Sequence, residues 1–259
     1  MGVPATFKDR RVTILGIQVD SVTMDEALHE IGRLIGEKKP RFVVTPNVDV
    51  LVQLQTDPDF RRIFYDAALI LPDGLPLLWV ANFLGTPLKA KVSGSDLFVE
   101  FCAFAAQKGY KVYFMGAMPG VAAEAAQRLT KRYPGLQVAG THSPSFGFEK
   151  NEAECADIVQ KIRAAAPDVL FLGLGSPKQE KWADRFKEQL GVPVMIGVGI
   201  SFDYVAGTVK RAPLWMQNIG FEWLFRLCME PRRLWKRYLL NDPKFFWYVL
   251  RQKCSKKKT

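Results

Sequence analysis

Histidine is nearly absent from this 259-residue chain, and cysteine is sparse. His29 and His142 stand far apart, and Cys102, Cys155, Cys228 and Cys254 show no C-x-x-C spacing, so no zinc site is expected and the thiols read as reduced. No segment approaches the roughly 20 apolar residues of a spanning helix. Phe245–Leu250, an uncharged run near the end, can touch a bilayer but not cross it. The opening MGVPATFKDRR lacks the apolar core of a signal peptide, although Gly2 and Thr6 fit the permissive myristoylation pattern. Repeats are missing too, and the only low-complexity stretch is Lys256–Lys258.

What the chain does have is an unevenly placed charge. Its net charge is +10, and residues 210–259 hold all of it: 13 Lys and Arg against Glu222, Glu230 and Asp242. Residues 1–209 carry 23 charges of each sign. Aromatic residues run through the basic end, including Trp215, Phe221, Trp223, Trp235, Tyr238 and Trp247. Lys and Arg attract anionic surfaces, and Trp and Tyr favour the water–lipid boundary. The expected organisation is therefore a neutral globular body over 1–207 and a basic aromatic appendage over 208–259. The appendage's apolar faces suit an anionic membrane surface or a second copy of the chain in a homo-oligomer.

Within the body, strand-like and helix-like segments alternate, which predicts an α/β fold with a mostly parallel sheet and helices on both faces. Strands are expected around Val12–Val19, Arg41–Thr45, Ala67–Leu71, Lys111–Met115, Gln137–Gly140, Val169–Leu172 and Val192–Val198. Thr23 and Glu26 form a capping-box pattern, and Ser93 a second helix start. Beyond Gly207 helical segments follow, broken at Pro231 and Pro243. Ligands of such sheets collect beyond the strands' carboxyl ends, here Thr45–Asn47, Pro72–Gly74, Gly116–Gly120, Gly173–Pro177 and Gly197–Asp203.

Asp73 is the leading candidate in these loops: a carboxylate there suits a general base for a hydroxyl nucleophile, or an N-cap for the helix that follows. Thr45 and Asn47 supply groups suited to a sugar or phosphate, or simply a turn. Asp49 reads as a first-turn helix acid. Gly173-Leu-Gly-Ser-Pro-Lys-Gln-Glu180 presents backbone amides to an anion but lacks the third glycine of a dinucleotide fingerprint. Lys178 and Gln179 are within its reach. Asp57-Pro58-Asp59 has the spacing of a metal-holding acid pair, but Asp57 is placed as a helix cap. In the basic end, Arg211, Arg226, Arg232 and Arg233 are candidate diphosphate contacts, because the planar guanidinium fork matches phosphate oxygens.

Taken together, Thr45-Pro-Asn-Val-Asp49, Leu71-Pro-Asp-Gly74, Val92-Ser-Gly-Ser-Asp96, Gly173–Glu180, Gly197–Asp203, Lys210-Arg-Ala-Pro-Leu-Trp-Met216 and Glu222-Trp-Leu-Phe-Arg226 resemble the WecG/TagA/CpsF family of bacterial glycosyltransferases. The resemblance implies a Rossmann-like body with a helical basic C-terminal appendage at the inner face of the cell membrane. It implies inverting, metal- and cofactor-independent transfer from a UDP-sugar to a polyprenyl-diphosphate-linked sugar, with N-acetylmannosamine as the first-choice donor sugar. It makes Asp73 the base, Thr45, Asn47 and Gln179 substrate contacts, and Asp203 a nucleotide contact. Where the family usually has an arginine before the Val-x-Gly-x-Asp stretch this chain has Lys91, which keeps the charge and loses bidentate geometry.

Two rival classes remain at this stage. A nucleic-acid-binding protein would use the basic aromatic end to track phosphates and stack bases, but no such motif accompanies it. A nicotinamide-dependent oxidoreductase would need the fingerprint that is missing.

Overall fold

The structure, a computed structural model, describes residues 11–256. The Gly2–Thr6 pattern and Lys257-Lys258 lie outside these residues.

The described chain opens with an antiparallel hairpin, β1 (Arg11–Ile14) and β2 (Ile17–Asp20). Leu15 and Gly16 both take positive φ, 50° and 80°, as a two-residue hairpin turn demands. The apolar run around Gly16 is thus two strands. Asp20 ends β2 buried, 2.8 Å from Arg11 Nε, and accepts the Ile70 amide at 2.7 Å. Burial pushes its carboxyl up, and these bonds oppose that rise.

Six further strands follow: β3 (Arg41–Val44), β4 (Leu69–Ile70), β5 (Lys111–Gly116), β6 (Gln137–His142), β7 (Val169–Gly173) and β8 (Val194–Gly197). They form one all-parallel sheet in the order β4-β3-β8-β7-β5-β6. β7 is buried along its whole length. Leu170 and Leu172 face one core while Val169 and Phe171 face the other, the two-residue period of a sheet covered on both sides.

On the first face lie α2 (Val48–Gln53), α3 (Pro58–Asp66), α4 (Leu75–Phe83), α7 (Glu152–Ala165) and α8 (Lys178–Leu190). On the second lie α1 (Met24–Gly36), α5 (Gly94–Lys108), α6 (Val121–Arg132) and α9 (Ser201–Ala206). The result is the three-layered, Rossmann-like α/β fold. Local chemistry sets many of the helix starts: the Thr23–Glu26 capping box opens α1, and the side chains of Asn47, Asp57, Ser93 and Asn151 cap α2, α3, α5 and α7.

The basic end forms α10 (Leu214–Asn218), α11 (Glu222–Met229), α12 (Pro231–Trp235), a π-helical turn over Lys236–Asn241, and α13 (Pro243–Lys256). Pro231 and Pro243 each begin a helix, where a missing N–H costs nothing. α13 returns to the body. Phe245 and Val249, one turn apart, are buried in the first-face core. Gln252 accepts the Leu15 amide at 2.8 Å and donates to the Thr13 carbonyl at 3.0 Å. The appendage is thereby strapped to the hairpin, while Phe246, Trp247 and Leu250 on the same helix stay exposed.

Candidate functional site

The loop after β4 carries Asp73 and is fixed from two sides. The Asp73 amide donates to the Pro46 carbonyl at 3.0 Å, in the loop after β3, and the Val92 amide donates to the Pro72 carbonyl at 3.0 Å. Gly74, not Asp73, occupies the cap position of α4, and no side chain caps that helix. The Asp73 carboxylate instead faces the Gly94 amide, 3.5 Å from Oδ2, at the first turn of α5. Its pKa is pushed up to about 6, chiefly by burial and then by the Glu222 carboxylate, while the Gly94 N–H and Lys91 pull the other way. A carboxylate near 6 is ionised at neutral pH and basic enough to accept a proton, the property of a general base.

Gly94 also explains the approach of β3. A Cβ there would lie 2.9 Å from Thr45 Oγ1, and that hydroxyl donates to the Gly197 carbonyl at 3.2 Å at the end of β8. The ends of β3, β4 and β8 therefore meet around Asp73, Gly94 and Thr45.

A ring of charge surrounds the carboxylate. Lys91 Nζ is 3.9 Å from Asp96 Oδ2, and Arg211 Nη1 is 2.5 Å from Asp96 Oδ1. Arg211 Nε reaches Glu222 Oε1 at 3.5 Å. Burial opposes ionisation of Asp96, but bonds from Arg211 and Ser93 hold its carboxyl below the ordinary range. Arg226 stands near Tyr238, Tyr204 and Glu222; burial works against its charge, and these groups more than offset it. Its Nε is shut away from solvent with no acceptor among the described residues. A buried guanidinium N–H without an acceptor is a donor that an anion could satisfy.

The remaining candidate residues fall elsewhere. Asn47 Oδ1 is committed to the cap of α2, accepting the Val50 amide at 3.2 Å, which leaves its Nδ2 facing no partner among the described residues. Gln179 is buried; it donates to Glu180 at 2.9 Å and accepts the Gly199 amide at 3.2 Å, so it orders the loop after β8. Asp203 receives the Thr208 hydroxyl at 3.1 Å and closes the end of α9. Arg232 and Arg233 are exposed on α12, where Arg233 is held by Glu230 at 2.6 Å. The structure thus gathers Asp73, Lys91, Arg211 and Thr45 in one place, with Arg226 near Glu222, and sets Arg232 and Arg233 on the outer surface.

Among the acids singled out for metal binding, Asp57 is engaged twice: it caps α3 through the Phe60 amide and pairs with Lys181 at 2.6 Å. Lys178 pairs with Glu149 at 3.3 Å.

Sequence reasoning missed Asp96 and Glu222 as the acids that hold Arg211, and Tyr204 and Tyr238 as neighbours of Arg226. It also read the loop over 197–203 as irregular, whereas α9 begins at Ser201. Asp96 was visible only as part of the Ser93 cap, and no local pattern links it to Arg211, 115 positions on. Asp49 also serves the appendage, since Arg237 Nε lies 3.2 Å from its Oδ2. The arginines at 211 and 237 pair with acids of the body instead of forming an open track for a nucleic acid.

Comparison with known proteins gives the chain's family. Residues 12–259 match the glycosyl transferase WecG/TagA/CpsF family. The chain is 34% identical over 240 residues to the N-acetylglucosaminyldiphosphoundecaprenol N-acetyl-beta-D-mannosaminyltransferase of Bacillus spizizenii, spanning 93% of this chain and 90% of that one. The protein of the same name from Staphylococcus aureus strain MW2 is 30% identical over 260 residues, spanning 100% and 99% of the two chains. Its counterpart from Bacillus subtilis is 31% identical over 223 residues, spanning 86% and 84%.

Proposed function

The chain belongs to the WecG/TagA/CpsF glycosyltransferase family, and from that premise we propose that it transfers N-acetylmannosamine from a UDP-sugar to N-acetylglucosamine linked to undecaprenyl diphosphate. The observation that carries the mechanism is the Asp73 carboxylate, held at the sheet's carboxyl edge with its pKa pushed up to about 6. Asp73 accepts the proton of the acceptor hydroxyl. The freed oxygen pair attacks the anomeric carbon of the donor, and the carbon–oxygen bond to UDP breaks with its electrons leaving on the diphosphate. One displacement inverts the anomeric centre.

The leaving diphosphate needs positive charge as it forms. Asp57 is already engaged by Lys181 and the Phe60 amide, so the reading assigns that role to arginines and not to a metal. Arg226, with its unsatisfied Nε, serves it, and Arg211 and Lys91 supply further charge beside the base. Thr45 and Asn47 contact the sugar, Gln179 fixes the loop after β8, and Asp203 faces the nucleotide. Arg232 and Arg233 sit outward, where they meet lipid phosphates.

The acceptor's lipid tail calls for a membrane surface. Of 18 exposed large hydrophobic side chains among the described residues, 13 lie between 214 and 250, interleaved with the basic residues. That mixture supports docking on an anionic leaflet at the inner face of the cell membrane. No helix of the described residues is long and apolar enough to cross it. The polymer served is a cell-surface polysaccharide or teichoic acid.

The reading is tested with purified protein, a short-chain lipid-diphosphate N-acetylglucosamine, a panel of UDP-sugars and EDTA. Transfer from UDP-N-acetylmannosamine alone is expected. Transfer only after Mg²⁺ or Mn²⁺ is restored would remove the arginine assignment. A protein that binds no UDP would sink the donor class.

A further inference from the structure

A second basic feature lies on the face of the sheet opposite α2 and α4. A cleft of about 320 Å³ opens between α5, α6 and α9. Its walls carry three guanidiniums, Arg128 and Arg132 from α6 and Arg211 beyond α9, with the hydroxyls of Ser95, Ser201 and Tyr204. No carboxylate lines it among the described residues.

The polar groups are set for a ligand. Ser95 Oγ and Ser201 Oγ stand 3.0 Å apart; Ser201 donates its proton to the Val198 carbonyl at 2.5 Å, so the Ser95 hydroxyl is the one free to turn outward. Arg128 is held against the wall by Glu124 at 2.6 Å and by the Val205 carbonyl at 3.4 Å. Arg132 has no acidic partner among the described residues and rests 5.1 Å from the Tyr133 ring. Arg211 is fixed by Asp96 and lies 5.9 Å from the Tyr204 ring. Arg128 and Arg211 each already hold one carboxylate, which leaves the charge of Arg132 unpaired at the opening, and guanidinium forks suit phosphate oxygens. The volume is at the lower end of small-molecule pockets, about 300–1,000 Å³, which fits a headgroup better than a whole nucleotide sugar.

Its position ties it to the reaction. Ser95 adjoins Gly94, whose amide faces Asp73, and Arg211 feels the Asp73 charge. We infer that this cleft seats the diphosphate of the lipid-linked acceptor, with Arg128 and Arg132 as the residues that read it. The inference rests on the functional reading above. It gives the two diphosphates of the reaction separate seats, the donor's beside Arg226 and the acceptor's on the α6 side, with the acceptor sugar between Arg211 and Asp73.

The test compares the full chain with the double variant Arg128→Gln/Arg132→Gln. Both arginines are exposed, and thermal melting checks that the variant is folded. Calorimetry with inorganic pyrophosphate should show binding to the unaltered protein even when UDP is saturating. The double variant should bind pyrophosphate at least about tenfold more weakly, the effect of losing a charge-assisted contact, with UDP affinity unchanged. In transfer assays its KM for a short-chain lipid diphosphate should rise by at least about the same factor, with the donor KM constant. Displacement of pyrophosphate by UDP, or a raised donor KM, would put the donor diphosphate in the cleft and overturn the inference. Equal pyrophosphate binding by both proteins would overturn it as well. An unaltered protein that binds pyrophosphate in this way but transfers no sugar would sink the functional reading, not the anion site.

Discussion

Arg237 Nε of the basic C-terminal segment lies 3.2 Å from Asp49 Oδ2, within the first turn of the helix that follows Thr45 and Asn47. The contact joins the basic C-terminal segment to the body through α2, and α13 completes the attachment through Phe245 and Val249.

Asp242 makes that link pH-dependent. Burial, then the nearby Asp49 carboxylate, push its pKa up to about 7, with Arg237 opposing. The folded protein holds this proton better than the unfolded chain, so the stability it contributes is present at low pH and lost as pH rises through about 7. Asp242→Asn should be close to neutral at pH 4 and stabilising by roughly 2 kcal/mol at pH 8, after allowance for partial exposure. Urea denaturation at the two pH values measures this; equal effects at both would remove Asp242 from the coupling.

Asp73, in the loop after β4, has the same sign. Its rise from the ordinary 3.8 to about 6 corresponds to about 3 kcal/mol of strain at neutral pH. Asp73→Asn should raise the melting temperature at pH 7.5 and not at pH 4, even as it removes turnover. A melting temperature unchanged at pH 7.5 would show that the carboxylate carries no such burden.

Gly94→Ala tests the close approach of three strand ends. The new methyl would sit 2.9 Å from Thr45 Oγ1 and force that hydroxyl off the Gly197 carbonyl. A displacement of this kind at a reacting centre costs on the order of a hundredfold in kcat/KM. Steady-state kinetics together with a melting curve would separate this from unfolding, and near-normal kinetics would show that the crowding is relieved elsewhere.

Arg226→Gln removes the guanidinium whose Nε has no acceptor. UDP affinity and kcat should both fall by about tenfold to a hundredfold, the range of charge-assisted contacts, and Arg226→Lys should recover only part because a point charge replaces a fork. Titration calorimetry with UDP reads the first effect. Full recovery with lysine would mean that charge alone matters, and would extend the same reasoning to Lys91.

How much of this was legible in the chain follows from the range of each interaction. Caps are local, so Thr23, Asp57 and Ser93 announced their helices, whereas Asn47 read as a turn or a ligand contact and in the structure caps α2. The parallel sheet was legible because its apolar strands alternate with helical patterns. Asp73 was ambiguous between base and cap, and the structure removes the cap: Gly74 takes that position, and the carboxylate faces the Gly94 amide 21 positions away. The Phe245–Leu250 run read as one lipid-touching stretch, yet its i and i+4 members, Phe245 and Val249, turn into the core while Phe246, Trp247 and Leu250 stay outside. Composition cannot divide a helix that way; only the packing partner can. Asp96 and Glu222 went unread as partners of Arg211 for the same reason.

The most direct test of the account is the pH dependence of sugar transfer to a short-chain lipid acceptor between pH 4.5 and 8.5. The unaltered protein should lose kcat/KM about tenfold per pH unit below an apparent pKa near 6 and stay level above it. Asp73→Asn should run at least about a hundredfold slower with no acid limb. A profile without that limb, or near-normal transfer by the variant, would contradict Asp73 as the base.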